Sequence, residues 1–181
     1  MLNEIQQVAS NADLLHSEAE VEAAIDKIAE TLNLFLAERN PLLLCVMNGG
    51  IVLGGKLMTR LNFPLTLDAI NASRYRNQTS GGEIDWIQKP RTDLKDRTIL
   101  IVDDILDEGI TLSAIYDYCR EQGASSIYSA VLVNKNLGYT KPIQANFVGL
   151  EVENRYIFGY GMDYKGYLRN AAGIYACKES T

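Results

Sequence analysis

The chain has 181 residues, 47% of them hydrophobic, and its 17 basic and 23 acidic residues give a net charge of −6. This length predicts a single domain whose core needs neither disulfides nor a structural metal. The acidic balance argues against broad attraction to nucleic acid or to an anionic membrane surface, so we expect neither as a partner.

The cysteines and the N-terminus predict a cytoplasmic protein. Cys45, Cys119 and Cys177 are odd in number and lie in no metal-ligand or CxxC spacing, which is typical of reduced thiols. No stretch is apolar for the roughly 18 residues that a membrane span needs, and residues 1–15 lack the pattern of a signal peptide. The single histidine, His16, is predicted in a loop before a helix, which argues against a Ser-His-Asp hydrolase.

The first half of the chain alternates between helical and strand patterns. Ser17 and Glu20 form a capping-box pattern, and the apolar spacing that follows predicts a helix stopped by Asn40-Pro41. The next elements are a buried strand, a turn, a helix and a second strand, predicted at residues 42–47, 48–50, 51–61 and 65–72.

The second half continues the alternation after a polar segment, residues 74–82, that is predicted to be a loop. We predict strands at residues 83–87, 98–102, 126–133, 147–152 and 156–160. An acidic turn at residues 103–109 and a helix from about Thr111 to Gly123 follow the strand at 98–102. The whole pattern predicts an α/β fold with a mainly parallel twisted sheet flanked by helices.

The acidic turn is the clearest candidate site, because ligands of such sheets bind outside the carboxyl ends of the strands. A helix that begins near Thr111 would offer unpaired N–H groups to a phosphate, with Thr111 as a capping residue and Gly109 allowing close approach. Asp103 and Asp104 could accept hydrogen bonds from vicinal sugar hydroxyls or approach Mg²⁺, and Asp107 lies between these two subsites. The alternative is a solvated first turn whose acids favour the helix dipole.

The stretch Ile99-Leu-Ile-Val-Asp-Asp-Ile-Leu-Asp-Glu-Gly-Ile-Thr-Leu112 resembles the phosphoribosyl pyrophosphate (PRPP) motif of the type I phosphoribosyltransferases. Further segments resemble the same family in order: its pyrophosphate loop, its flexible loop, its purine-contacting strand end and the hood of its hypoxanthine-guanine branch. These segments are Met47–Gly50, Arg74-Tyr75, Leu132–Lys135, and Phe147–Leu150 with Gly159–Tyr164 and Arg169. The resemblance extends from about residue 42 to residue 169.

The resemblance implies roles for individual residues around PRPP. Asp103 and Asp104 would hold the ribose hydroxyls, and Asp107, Glu108, Gly109, Ile110 and Thr111 would cradle the 5-phosphate. Asn48, Gly49, Gly50 and Arg169 would contact pyrophosphate, with main-chain N–H groups of the two glycines facing it. Asp163, together with Asp103 and Asp104, would be the Mg²⁺ ligands, and Arg74 and Tyr75 would belong to the flexible loop.

For the purine, the resemblance implies that Asp107 is the catalytic group that handles the proton at N7. Lys135 would donate to the 6-oxo group, Phe147 would stack on the ring, and the Val148 main chain would contact the 2-position. The implied architecture is one domain over residues 1–181, with a hood formed by the N-terminal segment and residues from about 146 to 175.

The implied activity is purine salvage: Mg²⁺-dependent transfer of 5-phosphoribosyl from PRPP to hypoxanthine or guanine, giving IMP or GMP and pyrophosphate. The implied assembly is a homodimer or homotetramer. Lys135 favours a 6-oxopurine over adenine, whereas xanthine-guanine and orotate specificity remain alternatives. Asn48, Arg74, Glu108 and Asn134 depart from the usual family residues at their positions.

Two alternatives come from other classes of protein. A signalling receiver domain can also begin with Ile-Val-Asp-Asp, but only 78 residues follow Asp103 and no strand-end aspartate precedes Lys135. A regulatory RNA-binding protein on the same scaffold would need a basic face, which the net charge of −6 disfavours.

Overall fold

A computed structural model describes residues 1–74 and 84–178 of the chain. Within these residues lie four helices: α1 (Leu2–Asn11), α2 (Glu18–Leu36), α3 (Ile51–Met58) and α4 (Ile110–Glu121). The strands of the first half are β1 (Asp13–Ser17), β2 (Leu42–Val46), β3 (Thr66–Arg74) and β4 (Ile84–Gln88). Those of the second half are β5 (Thr98–Leu106), β6 (Ser126–Asn136), β7 (Phe147–Glu153), β8 (Ile157–Phe158) and β9 (Gly173–Ala176).

Helix α2 begins where the sequence predicts it. The main-chain N–H of Ser17 donates to the Glu20 carboxylate at 2.8 Å, and the Ser17 hydroxyl accepts from the Glu20 N–H, so the capping box is confirmed. The helix ends at Leu36, before the predicted stop at Asn40-Pro41. Its apolar residues at helical spacing are buried because this face of α2 packs onto the sheet.

The described strands include a six-stranded sheet in the order β4-β3-β2-β5-β6-β7, in which only β4 runs antiparallel to its neighbour. The predicted mainly parallel sheet is therefore confirmed. Leu43 and Leu100 pack on the face covered by α2 and α3, whereas Leu44 and Ile101 pack on the face covered by α4. Because both faces of the central strands are covered, these strands are continuously apolar.

The strand order reverses between β2 and β5. The chain leaves β2 through α3 to β3 on one side, and leaves β5 through α4 to β6 on the other side. The two connections therefore diverge at the carboxyl ends of β2 and β5, and a crevice opens there. The loop that follows Val46 and the acidic end of β5 border this crevice.

Strand β5 is longer than predicted and changes the interpretation of the acidic turn. The strand continues to Leu106 because β6 pairs with it throughout, with Asp103 opposite Val131 and Leu106 opposite Asn134. Asp103 and Asp104 are thus strand residues rather than turn residues. The predicted cap at Thr111 is also wrong, because the N-cap of α4 is Gly109, with φ of 83° and no side-chain capping bond.

The ends of the chain form a second sheet, of which the sequence predicted little. Its described strands lie in the order β1-β9-β8, and α1, β1 and β9 were not predicted. His16, predicted in a loop, lies in β1 opposite Ile174. Strand β7 pairs with β6 in the large sheet, so besides β1 the small sheet contains only β8 and β9 among the described strands.

In the described part of the chain, none of the helices combines the length and the apolar character that a membrane crossing requires.

Gly50, the N-cap of α3, and Gly55, inside that helix, give a testable contrast. A Cβ on Gly50 would lie 2.5 Å from the Val102 carbonyl oxygen, whereas a Cβ on Gly55 would meet no atom within 4 Å. We expect Gly50→Ala to lower the free energy of unfolding by about 1–3 kcal/mol through overpacking. Gly55→Ala should raise it by about 0.5–1 kcal/mol, because alanine favours the helix.

Urea unfolding of both variants and the wild type tests the contrast. Equal effects of the two substitutions would contradict the close packing of the Gly50 backbone against β5.

Candidate active site

A cavity of about 780 Å³ opens at the carboxyl ends of the central strands, within the volume range of small-molecule sites. Residues from several separate parts of the chain line it. The predicted site residues found there are Asn48, Gly49, Asp103, Asp104, Asp107, Glu108, Gly109, Ile110, Thr111, Lys135, Asp163 and Arg169. The fold therefore brings together most of the residues that the sequence singled out.

The glycine loop after β2 lies directly against the acidic end of β5. A Cβ on Gly49 would lie 2.1 Å from the Asp104 Oδ2 atom, so a side chain here would have to displace that carboxylate. The peptide bond between Met47 and Asn48 is cis. Gly50 is absent from the lining among the described residues, and its N–H donates to the Val46 carbonyl at 2.8 Å. The predicted role of the Gly50 N–H as a donor to pyrophosphate is therefore wrong.

The two acids at the end of β5 share a poorly hydrated position. Asp104 is only 7% exposed, and its main-chain N–H donates to the Asp103 carboxylate at 2.9 Å. Burial raises the pKa of both carboxyls, and the neighbouring charge of Asp104 raises that of Asp103 further. The positive charge of Arg169 opposes both shifts. In the folded state these carboxylates therefore favour a hydrogen-bond donor or a cation as partner.

The start of α4 has the geometry that suits an anion. Gly109 adopts a left-handed conformation as N-cap, and the first turn of the helix contains no acidic side chain. The N–H groups of such a first turn have no partner within the helix and face the cavity with the positive end of the helix dipole. Glu108, next to Gly109, is half-buried at the cavity wall.

Asp107 and Lys135 form an ion pair at the cavity. Asp107 directly follows β5, Lys135 lies near the end of β6, and their Oδ2 and Nζ atoms are 3.0 Å apart. Lys135 is 8% exposed, whereas the Asp107 side chain is half-exposed. The pair offers a ligand one acceptor and one donor side by side.

A loop after β8 closes the other side of the cavity. The Arg169 guanidinium donates to the Gly161 carbonyl at 2.5 Å and pairs with Asp163 at 2.7 Å. The same guanidinium lies 4.0 Å from the Asp104 carboxylate, so it joins this loop to the acidic end of β5. Gly161 has φ of 107°, which only glycine adopts readily, and a Cβ there would lie 2.1 Å from the Gly49 carbonyl oxygen.

The predicted purine contacts at Phe147 and Val148 are wrong. Phe147 begins β7 opposite Ala130, whereas Lys135 lies five residues further along β6, opposite Val152. At about 3.3 Å per residue, this register places Phe147 roughly 16 Å from Lys135, toward the opposite edge of the sheet. The Phe147 ring instead packs against Phe35 of α2, with ring centroids 5.7 Å apart.

Tyr156 and Ile157 line the cavity, although the sequence analysis did not select them. They follow β7 at the carboxyl edge of the sheet, and the Tyr156 ring packs edge-on against Tyr164 at 5.4 Å between centroids. A signal was available, since Tyr156 begins an apolar run directly after polar residues and lies seven positions before Asp163. The resemblance of Phe147–Leu150 to the family motif instead assigned the purine contacts to the beginning of β7.

Of the predicted flexible loop, only its first residue lies within the described part of the chain. Arg74 is the last residue of β3, and Tyr75 lies outside the described residues together with the rest of that loop.

The donor set suits a metal that takes part of its coordination from a ligand. Residues 1–74 and 84–178 contain no cluster of three or more His, Cys, Asp or Glu side chains that could enclose a metal ion. Mg²⁺ is commonly held by one or two carboxylates, water and substrate phosphates rather than by an all-protein cage. The carboxylates of Asp103, Asp104 and Asp163 at one cavity fit that mode.

Comparison with known proteins agrees with this geometry. Residues 11–165 match the family described as "Phosphoribosyl transferase domain". The chain is 31% identical to the hypoxanthine-guanine-xanthine phosphoribosyltransferase of Tritrichomonas foetus, over 99% of this chain and 96% of that protein. It is 34% identical to the hypoxanthine-guanine phosphoribosyltransferase of Bacillus subtilis, over 87% of this chain and 88% of that protein.

A solved structure shares the fold. The crystal structure of a hypoxanthine phosphoribosyltransferase from Staphylococcus aureus superposes with a TM-score of 0.86 at 23% identity, and the superposition covers 92% of this chain and 91% of that chain. The family match covers most of the chain, and its acidic motif lies at the cavity where the fold predicts a ligand. The chain belongs to the phosphoribosyl transferase domain family.

Proposed function

We propose that this protein is a Mg²⁺-dependent hypoxanthine-guanine phosphoribosyltransferase of purine salvage. The observation that carries the proposal is the Asp107–Lys135 pair at 3.0 Å. A 6-oxopurine presents an acceptor, its 6-oxo group, next to N7, which carries or loses a proton. A donor beside an acceptor is the complement of that edge, and the relatives named for hypoxanthine and guanine support the same substrates.

PRPP fits the rest of the cavity. The N-terminus of α4, with Gly109, Ile110 and Thr111, would hold the 5-phosphate, as helix N-termini hold anions. Asp103 and Asp104 would accept hydrogen bonds from the vicinal ribose hydroxyls, which supply the donors that these buried carboxyls favour.

The leaving group would lie between the glycine loop and the Arg169 loop. Arg169, already within 4.0 Å of Asp104, would stabilise negative charge that develops on pyrophosphate as the bond to C1 of the ribose breaks. Asn48 and Gly49 line the facing wall. Asp107 would hold the purine N7 proton, and removing it makes the attacking ring nitrogen more nucleophilic.

Mg²⁺ would be held by Asp163 and by Asp103 or Asp104, together with substrate oxygens. When bound, the ion neutralises pyrophosphate charge during its departure. Asp163 is paired with Arg169 at 2.7 Å, so the same guanidinium that contacts pyrophosphate would also orient this carboxylate.

The purine ring would pack on Tyr156, with Ile157 at its 2-position edge. Both residues follow β7 in the chain and line the same cavity as Lys135. An exposed aromatic side chain, together with a few placed polar groups, is a common arrangement for binding a flat heteroaromatic ligand.

The proposal includes a homodimer or homotetramer in the cytoplasm, as the family resemblance implies. Leu34 on α2 is 88% exposed and Ile87 on β4 is 61% exposed, and both are apolar surface that an assembly would cover.

An assay with PRPP, Mg²⁺ and separate purines tests the function. We expect turnover with hypoxanthine and guanine, little with adenine, and loss of turnover when a chelator removes Mg²⁺. Asp107→Asn keeps the size of the side chain but removes the base, so kcat should fall by about 10²–10⁴-fold while the dissociation constant of PRPP stays nearly constant. Turnover of no purine, or full activity in excess chelator, would refute the proposal.

The corrected purine contact gives a matched pair of variants. Tyr156→Leu should raise KM for hypoxanthine roughly tenfold, because ring stacking contributes on the order of 1–3 kcal/mol. Phe147→Leu removes a similar ring at the other end of β7, so it should lower thermal stability and leave KM unchanged. Steady-state kinetics and thermal unfolding of both variants separate the two roles. A larger KM effect at Phe147 would restore the original assignment.

The acid pair makes a prediction about pH and stability. Folding raises the pKa of Asp103, so its contribution to stability is present below the unfolded-state pKa and is lost as pH rises through the folded-state value. Asp103→Asn should therefore raise Tm at neutral pH, by roughly 2–4 °C for each kcal/mol gained, and the difference should shrink in acid.

Thermal unfolding of Asp103→Asn and the wild type from acidic to neutral pH checks this sign. A Tm difference that stays constant across the range would contradict the assigned burial of the charge. Activity should fall in the same variant, because the neutral amide accepts the ribose hydroxyls less strongly.

A further inference from the structure

Lys141, outside the cavity lining, joins the two strands that carry the Asp107–Lys135 pair. It lies in the connection between β6 and β7. Its Nζ atom donates to the main-chain carbonyl of Leu106 at 2.7 Å and to the Asn134 Oδ1 atom at 2.7 Å. Leu106 directly precedes Asp107, and Asn134 directly precedes Lys135.

These two acceptors lie opposite each other in the sheet. Leu106, the last residue of β5, is paired in register with Asn134 of β6. Each acceptor is therefore one residue away from a member of the ion pair, and one ammonium group binds both. Such a clamp fixes the end of β5 relative to β6 at the last residue pair that the two strands share.

The clamp is itself held from the far side. The Asn134 amide group donates to both oxygens of the Glu151 carboxylate on β7, at 3.0 and 2.9 Å. Asn134 thus uses its carbonyl oxygen for Lys141 and its nitrogen for Glu151, so its orientation is fixed. A chain of hydrogen bonds runs from the end of β5 through Lys141 and Asn134 to β7.

Lys141 is partly buried among charged groups. Burial lowers the pKa of its ammonium group, and the nearby charge of Lys135 acts in the same direction. The carboxylates of Asp107 and Glu151 oppose the shift. The ammonium group of Lys141 therefore donates its hydrogen bonds to groups of the protein, where an exposed lysine would donate to water.

We propose that Lys141 is a positioning residue that sets the geometry of Asp107 and Lys135 toward the purine. The proposal rests on the proposed function for the identity of the ligand. It requires no contact between Lys141 and the substrate. Losing the clamp should weaken recognition of the base and leave recognition of the ribose 5-phosphate group, which the first turn of α4 provides, unchanged.

Lys141→Met keeps the aliphatic stem and removes the donors. We expect its affinity for IMP to fall about tenfold, as for the loss of a hydrogen bond from a charged group, while its affinity for ribose 5-phosphate stays within twofold. KM for hypoxanthine should rise and the dissociation constant of PRPP should stay the same. Calorimetric titration with IMP and with ribose 5-phosphate measures the split without relying on turnover.

Two further variants control the experiment. Lys27→Met removes an exposed lysine of α2 and should change neither affinity. Asn134→Ala removes one acceptor of the clamp and should reproduce the selective loss for IMP, and this keeps the test decisive if Lys141→Met folds poorly. Equal losses for IMP and ribose 5-phosphate in both variants, or no loss for either ligand, would refute the positioning role.

The outcomes separate this role from the proposed function. Wild-type protein that turns over neither hypoxanthine nor guanine, while its IMP affinity depends on Lys141, would refute the function alone. An active Lys141→Met variant with wild-type KM for hypoxanthine and wild-type IMP affinity would refute the positioning role alone.

Discussion

The close approach of the glycine loop to the acidic end of β5 is the constraint on which the site depends. A side chain at Gly49 would displace the Asp104 carboxylate, and the Gly161 backbone lies close to Gly49 on the other side. The two carboxyls of Asp103 and Asp104 are therefore held where water is scarce, and their pKa values are raised. Burying these carboxyls costs free energy, which hydrophobic burial on both faces of the sheet offsets.

That cost also explains the chemistry that the cavity can support. Buried carboxyls without a full set of donors bind hydroxyls or a cation strongly, since a ligand restores what folding removed. Arg169 supplies part of the compensation in the free protein, through its position 4.0 Å from Asp104 and its pair with Asp163. A ligand that brings hydroxyls, phosphates and a metal together would satisfy the same groups more completely.

Some groups of the site lie close together in the chain, whereas others are brought together from different strands. The acids and the N-terminal end of α4 belong to one strand-loop-helix unit, so their spacing is set locally. The Asp107–Lys135 pair instead spans two strands, and its geometry depends on how β5 and β6 end. The bonds of Lys141 to Leu106 and Asn134 cross the same two strand ends, which is why we assign the positioning of this pair to that clamp.

The sequence by itself determined the alternation of strands and helices, the capping box at Ser17, and the acidic motif with the helix that follows it, because all of these depend on short-range periodicity and spacing. Only the tertiary structure decided what depends on long-range pairing. Because of the register of β7 on β6, the aromatic residue that lines the cavity is Tyr156 and not the predicted Phe147. Pairing with β6 extended β5 through the acids, and the pairing of β1 with β9 joined residues about 160 positions apart in sequence. No local pattern encodes such partners, since a strand's own residues fix which side chains face the core but not which strand lies beside it.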